Sequence, residues 1–76
     1  MEELIEFVAR SLVDDAEAVN THMYERGDQT IVELEVAQND LGKVIGRQGR
    51  TARAMRTLLS AAGVKTRRRY TLDIVD

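Results

Sequence analysis

Between Val44 and Arg50 the sequence reads V-I-G-R-Q-G-R, and the glycine pair Gly46 and Gly49 constrains the fold more than any other stretch. Before it, residues 41–45 carry a short helical pattern with Asp40 placed as N-cap. After it, a longer pattern runs from Gly49 or Arg50 to Ala62, with Ala52, Met55, Leu58, Leu59 and Ala62 on one side and Gly63 as the expected C-terminal stop. Glycine takes positive φ at little cost, so the pair lets the chain turn sharply between two helices. A short helix, a tight turn and a long helix follow, and the rest of the chain must pack against them.

Residues 2–13, EELIEFVARSLV, place Leu4, Ile5, Val8, Ala9 and Leu12 on one wide helical face, with early glutamates suited to the N-terminal end of the dipole. Phe7 falls off that face and reads as either a groove filler or part of a contact surface. Residues 18–25 and 30–37 flank Arg26-Gly27-Asp28-Gln29, a turn sequence, and predict a hairpin. In its second strand Val32, Leu34 and Val36 alternate with Glu33 and Glu35, which implies one buried face and one wet face. A last strand is expected over residues 67–75, with Tyr70, Leu72 and Ile74 facing inward. The order α-β-β-α-α-β over residues 1–76 gives an α+β fold, three helices packed on one face of a three-stranded sheet. The last strand follows a two-helix crossover, which is compatible with parallel pairing.

Seventy-six residues suffice for one domain and lie near the lower size at which a core folds without staples. The chain has no cysteine, which excludes a disulfide framework, a thiolate metal site and a cysteine nucleophile and points to a reducing, cytoplasmic setting. No apolar run approaches the ~20 residues of a membrane span, and the acidic start MEELIEF is unlike a signal peptide. His22 stands alone, so neither a metal nor another cofactor is expected. Ser11 and Ser60 lack the partners of a nucleophilic triad, and the carboxylates lie on helix and strand faces, so the reading is non-enzymatic, with no small-molecule substrate.

The net charge of -2 conceals a segregation. From Lys43 to Arg69 there are nine basic residues and no acidic one; from Met1 to Gly42 there are two basic and eleven acidic. Such asymmetry marks an anionic partner, with nucleic acid the leading class. The glycines leave the backbone bare for a sugar-phosphate chain, and the start of the third helix favours a phosphate. Arg47, with Lys43, Arg50 and Arg53, supplies the charge for a sequence-independent clamp.

A G-x-x-G turn between a short and a long helix, inside a helix-helix-strand run and preceded by Val44 and Ile45, resembles the KH domain. The element order matches its type II arrangement. The string from Leu41 to Leu59, LGKVIGRQGRTARAMRTLL, further resembles the KhpA family of small bacterial single-KH RNA-binding proteins. That resemblance implies a clamp on short single-stranded RNA, or single-stranded DNA, formed by Gly46, Arg47, Gln48 and Gly49. It implies that Val44 and Ile45 help floor an apolar groove for bases, although both read equally well as core. It also suggests that Arg67 and Arg69 wall the groove, with strand alternation sending Arg68 to the other face with Tyr70. The family loop commonly carries a second basic residue where this chain has Gln48, which implies one phosphate contact fewer and weaker salt dependence. The family further implies self-association, a heterodimer with a larger KH-containing partner, KhpB, an RNA-chaperone role, and links to cell-wall homeostasis and cell shape.

Aromatic residues make up only 4% of the chain, so base recognition must rest on aliphatic packing and edge hydrogen bonds rather than stacking. Tyr70 reads as a core-edge residue and Tyr24 as hairpin surface. Ala54, Leu58 and Ala61 form a strip on the third helix, away from Arg56, that suits close approach of a second subunit. Two rival readings stand beside the RNA clamp. One takes residues 41–62 as a helix-turn-helix for duplex DNA, against which the brevity of the first helix weighs. The other is a protein-protein adaptor whose loop binds nothing.

Overall fold

The computed structural model describes residues 1–75; Asp76, the last residue of the expected 1–76 unit, lies outside them. Helix α1 spans Glu2–Leu12, strand β1 Asn20–Arg26 and strand β2 Gln29–Glu35. Helix α2 spans Leu41–Ile45, helix α3 Arg50–Thr66 and strand β3 Arg69–Val75. The sheet order is β1-β2-β3. β1 is antiparallel to β2, and the pair Arg26↔Gln29 closes a two-residue turn in which Gly27 takes φ +61°. β3 runs parallel to β2 from Gln29↔Arg69 to Glu35↔Val75.

The predicted alternation of β2 is the frame of the core. Val32 and Leu34 are fully buried on one face, together with Leu72 of β3. Against that face lie Ile5 and Ala9 from α1, Val44 from α2, and Met55 and Leu59 from α3. All three helices therefore share one side of the sheet. The opposite face is wet except at Ile31, which is buried between its cross-strand neighbours Tyr24 and Thr71.

The buried stripes are narrower than the sequence pattern suggests. Leu4 and Leu12 of α1 and Leu58 of α3 are exposed. Phe7 is 70% exposed and fills no groove. The strands begin later than expected at Asn20 and Arg69, and β2 ends at Glu35 rather than residue 37.

Helix α3 does not stop at Gly63. It continues to Thr66, and Arg67 ends it in the left-handed region at φ 58°. The Arg68 N–H then donates to the Gly63 carbonyl at 2.9 Å, the long-range bond of a Schellman cap. Gly63 is buried, and a Cβ there would collide with the Arg68 carbonyl oxygen. Its lack of a side chain lets the chain fold back onto the helix and enter β3 within three residues.

Gly63→Ala should therefore lower stability by about 1–3 kcal/mol through overpacking, despite the ~1 kcal/mol that alanine gains in a helix. Gly42→Ala, in α2 with open space around it, should be neutral or slightly stabilising. Urea denaturation of the two variants provides the contrast.

Candidate functional site

The G-R-Q-G segment forms a single 3₁₀ turn, Arg47–Gly49, between α2 and α3. Three of its four residues have positive φ: Gly46 at 78°, Gln48 at 57° and Gly49 at 73°. Gly46, with ψ 170°, occupies a region essentially reserved for glycine, and a Cβ there would overlap the Thr51 side chain. Gly49 has nothing within 4 Å of its missing Cβ, so its face is open to an approaching ligand. Gln48 adopts the left-handed region without being glycine, a conformation costing roughly 1–2 kcal/mol. Its side-chain oxygen accepts a 3.4 Å hydrogen bond from Arg50 Nη2. The neutral Gln48 thus accepts a bond from a neighbouring cation beside the turn.

Gly49 is the N-cap of α3, and no side chain caps the first-turn amides. That turn contains no acidic residue. Arg47, Arg50 and Arg53 are exposed, and among the described residues none of them pairs with a carboxylate. Exposed guanidinium groups beside free amides at the positive end of a helix dipole form a favourable environment for a phosphate.

Four of the expected site residues do not face the turn. Val44 is fully buried in the core and cannot touch a base, whereas Ile45 is 37% exposed and is the apolar surface beside the turn. Lys43 points away from the turn toward the end of α1, where its Nζ donates to Asp14 Oδ2 at 2.9 Å and Asp40 Oδ1 at 3.2 Å. These bonds, that to Asp14 first, raise its pKa above the ordinary lysine value. Asp40 in turn does not cap α2 as the sequence suggests. Its buried carboxylate accepts the Asp15 N–H at 3.0 Å and the Asp14 N–H at 3.3 Å, pinning the segment after α1 to the start of α2. The Asp15 bond above all holds its pKa below the ordinary aspartate range, with smaller help from Asp14 and Lys43. Lys43 at i+3 from Asp40 is a visible ion-pair signal, but the two accepted amides lie some 25 residues earlier in the chain.

Arg67 and Arg69 are not brought to the glycine turn. Helix α3 has 17 residues, so Arg67 lies about 25 Å from Gly49 along its axis. Arg69 Nη1 bonds Asp28 Oδ2 at 3.0 Å beside the hairpin turn. Strand alternation does not govern the triplet either, because β3 begins only at Arg69 and Arg67 is a helix cap. All three arginines line a groove of about 420 Å³ at the far end of α3. Ala54, Leu58 and Ala61 are exposed together at i, i+4 and i+7 on α3, which leaves the expected contact strip uncovered.

An α-β-β-α-α-β chain with a mixed three-stranded sheet, three helices on one face and a glycine-bounded turn between the last two helices is a type II KH domain. Residues 2–74 match the family model described as KhpA/KhpB, KH domain. The chain belongs to that family. It is 54% identical to the RNA-binding protein KhpA of Borreliella burgdorferi over 74 residues, 97% of this chain and 90% of the relative. It is 48% identical to RNA-binding protein KhpA of Treponema pallidum over 99% of this chain and 94% of the relative. With the KhpA of Halalkalibacterium halodurans the identity is 45% over the full length of both chains. No solved structure matches the chain.

The Asp40 staple makes a prediction about acid stability. Its folded pKa is lowered, so its contribution is complete above the ordinary aspartate value of about 3.9 and is lost as pH falls through the lower folded value. Asp40→Asn should be less stable than the parent at pH 7 and lose less on acidification below pH ~4. Urea midpoints measured from pH 2 to 7 for both proteins check the two slopes.

Proposed function

We propose that this chain is a non-enzymatic RNA-binding protein that clamps short single-stranded RNA at the Gly46–Gly49 turn. One observation carries the reading: positive φ at three of the four turn residues exposes Arg47, Gln48 and the uncapped start of α3, with Arg50 and Arg53 beside them and no acid in the first turn. Phosphates of the bound strand lie against this charged edge, and a base rests on Ile45. The names of the KhpA relatives, which are RNA-binding proteins, support the choice of RNA over single-stranded DNA. Binding of low sequence specificity suits a cytoplasmic RNA chaperone or post-transcriptional regulator. Among the described residues no helix is long and apolar enough to cross a membrane.

The working form in this reading is a dimer, either of two copies or with a KhpB-like partner, joined through Ala54, Leu58 and Ala61. Leu58 is 45% exposed in the middle of that strip. The family description names KhpB beside KhpA, which fits such a partner. Two joined clamps raise avidity through effective concentration without any new kind of contact.

Arg47→Asp combined with Gln48→Asp should reduce affinity for single-stranded RNA at least about 100-fold, since charge-assisted contacts of ~1.5–3 kcal/mol each become repulsive. The fold should be unchanged by circular dichroism. Retention of RNA crosslinking by this folded variant refutes the clamp.

Leu58→Asp should shift the sedimentation profile toward monomer at fixed concentration. An unchanged profile removes α3 as the contact surface.

A further inference from the structure

The groove at the C-terminal end of α3 is unused by the clamp. Its volume is about 420 Å³, and Ser60, Val64, Arg67, Arg68 and Tyr70 contribute to its walls. Among the described residues Arg67 and Arg68 pair with no carboxylate. Val64 is 83% exposed, an apolar side chain left bare on the groove wall, and Tyr70 is half-buried and also lines the groove. Cationic groups for phosphate thus stand beside an aliphatic and an aromatic surface for a base, the combination that holds a single-stranded nucleotide.

The surface between this groove and the glycine turn is continuous in character. Arg53, Arg56, Ser60 and Val64 follow one another on α3 at spacings of three and four, so they form one stripe along the helix. All four are exposed. The stripe starts beside Arg50 at the turn and ends at Arg67 and the groove. It lies about 120° around the helix from Ala54, Leu58 and Ala61, so a strand on it does not cross the proposed dimer contact.

We infer that a longer RNA strand leaves the glycine turn, follows the Arg53–Arg56 stripe and places a further nucleotide in the Arg67–Arg68–Tyr70 groove. This rests on the reading of the turn as an RNA clamp and extends it to a second, distant subsite. A KH turn clamps about four nucleotides. The ~25 Å length of α3 corresponds to about seven more at a stacked spacing of ~3.4 Å. Affinity should therefore keep rising with strand length to about a dozen nucleotides, beyond what the turn alone provides.

Fluorescence anisotropy with labelled four- and twelve-nucleotide single-stranded RNAs tests this on the full chain. Arg68→Glu should weaken binding of the twelve-mer about tenfold and flatten its salt dependence, while the four-mer keeps its affinity. Ser60→Asp, which enters the groove from the helix side, should reproduce the length-dependent loss and guards against a local effect of Arg68 on the α3 cap. Unchanged twelve-mer binding in both variants overturns the second subsite, as does an equal loss on both lengths. The Arg47→Asp, Gln48→Asp protein separates the two ideas: unchanged binding of the four-mer by that variant defeats the clamp itself, whereas the groove is judged with the turn intact.

Discussion

Parallel pairing of β2 with β3 is the constraint on which the remaining architecture depends. A parallel neighbour forces the chain to travel back the whole length of the strand before pairing again. Seven-residue β2 is about 23 Å long, and 17-residue α3 returns about 25 Å. Helix α3 therefore makes the whole return across the sheet, while α2 and the glycine turn connect it to the end of β2. Its N-terminus must lie near the C-terminal ends of β2 and β3, and its C-terminus beside the hairpin turn. The glycine turn and the arginine triplet are consequently fixed at opposite ends of the molecule.

That separation is the point at which a linear reading of the charges fails. Nine basic residues in 27 positions look like one patch in sequence, yet the fold distributes them over two ends and one edge of α3. The β2 alternation and the three helices were legible because burial imposes periods of 2 and 3.6 on a chain of this size. Gly63 was not, because a glycine near the end of an apolar pattern reads as a stop, and only the close Arg68 carbonyl reveals it as a contact point. Asp40 was misread for a related reason: a short acidic residue before a helix resembles a cap, while its real partners are amides distant in the chain. The choice between Val44 and Ile45 depended on rotation of a helix only five residues long, too short for periodicity to fix.

The two glycines of the turn, equivalent in the sequence, carry different burdens. Gly46 is held by sterics from within, since Thr51 occupies the space a side chain would need. Gly49 is held by conformation alone and leaves its surroundings open. Only Gly49 therefore leaves its backbone bare to an approaching ligand. Gln48, placed between them in the left-handed region, contributes no charge but engages Arg50. A lysine or arginine in its place would add a cation and lose the acceptor that Arg50 engages.

Helix α3 emerges as a three-sided element. One side is buried through Ala52, Met55, Leu59 and Gly63, a second carries the exposed arginine stripe, and the third carries Ala54, Leu58 and Ala61. Helical geometry separates neighbouring sides by roughly 100–140°, so occupation of one does not obstruct the others. Charge and small apolar residues are kept apart as well, which spares any helix packed on the apolar side the cost of desolvating a guanidinium. Because the stripe and the strip share one rigid helix anchored by the core, dimerisation would hold two RNA tracks in a fixed mutual orientation. Simultaneous engagement of one long strand by both copies would then depend on the angle between paired α3 helices, a quantity set by the alanine-leucine strip and not by the loops proposed to contact RNA.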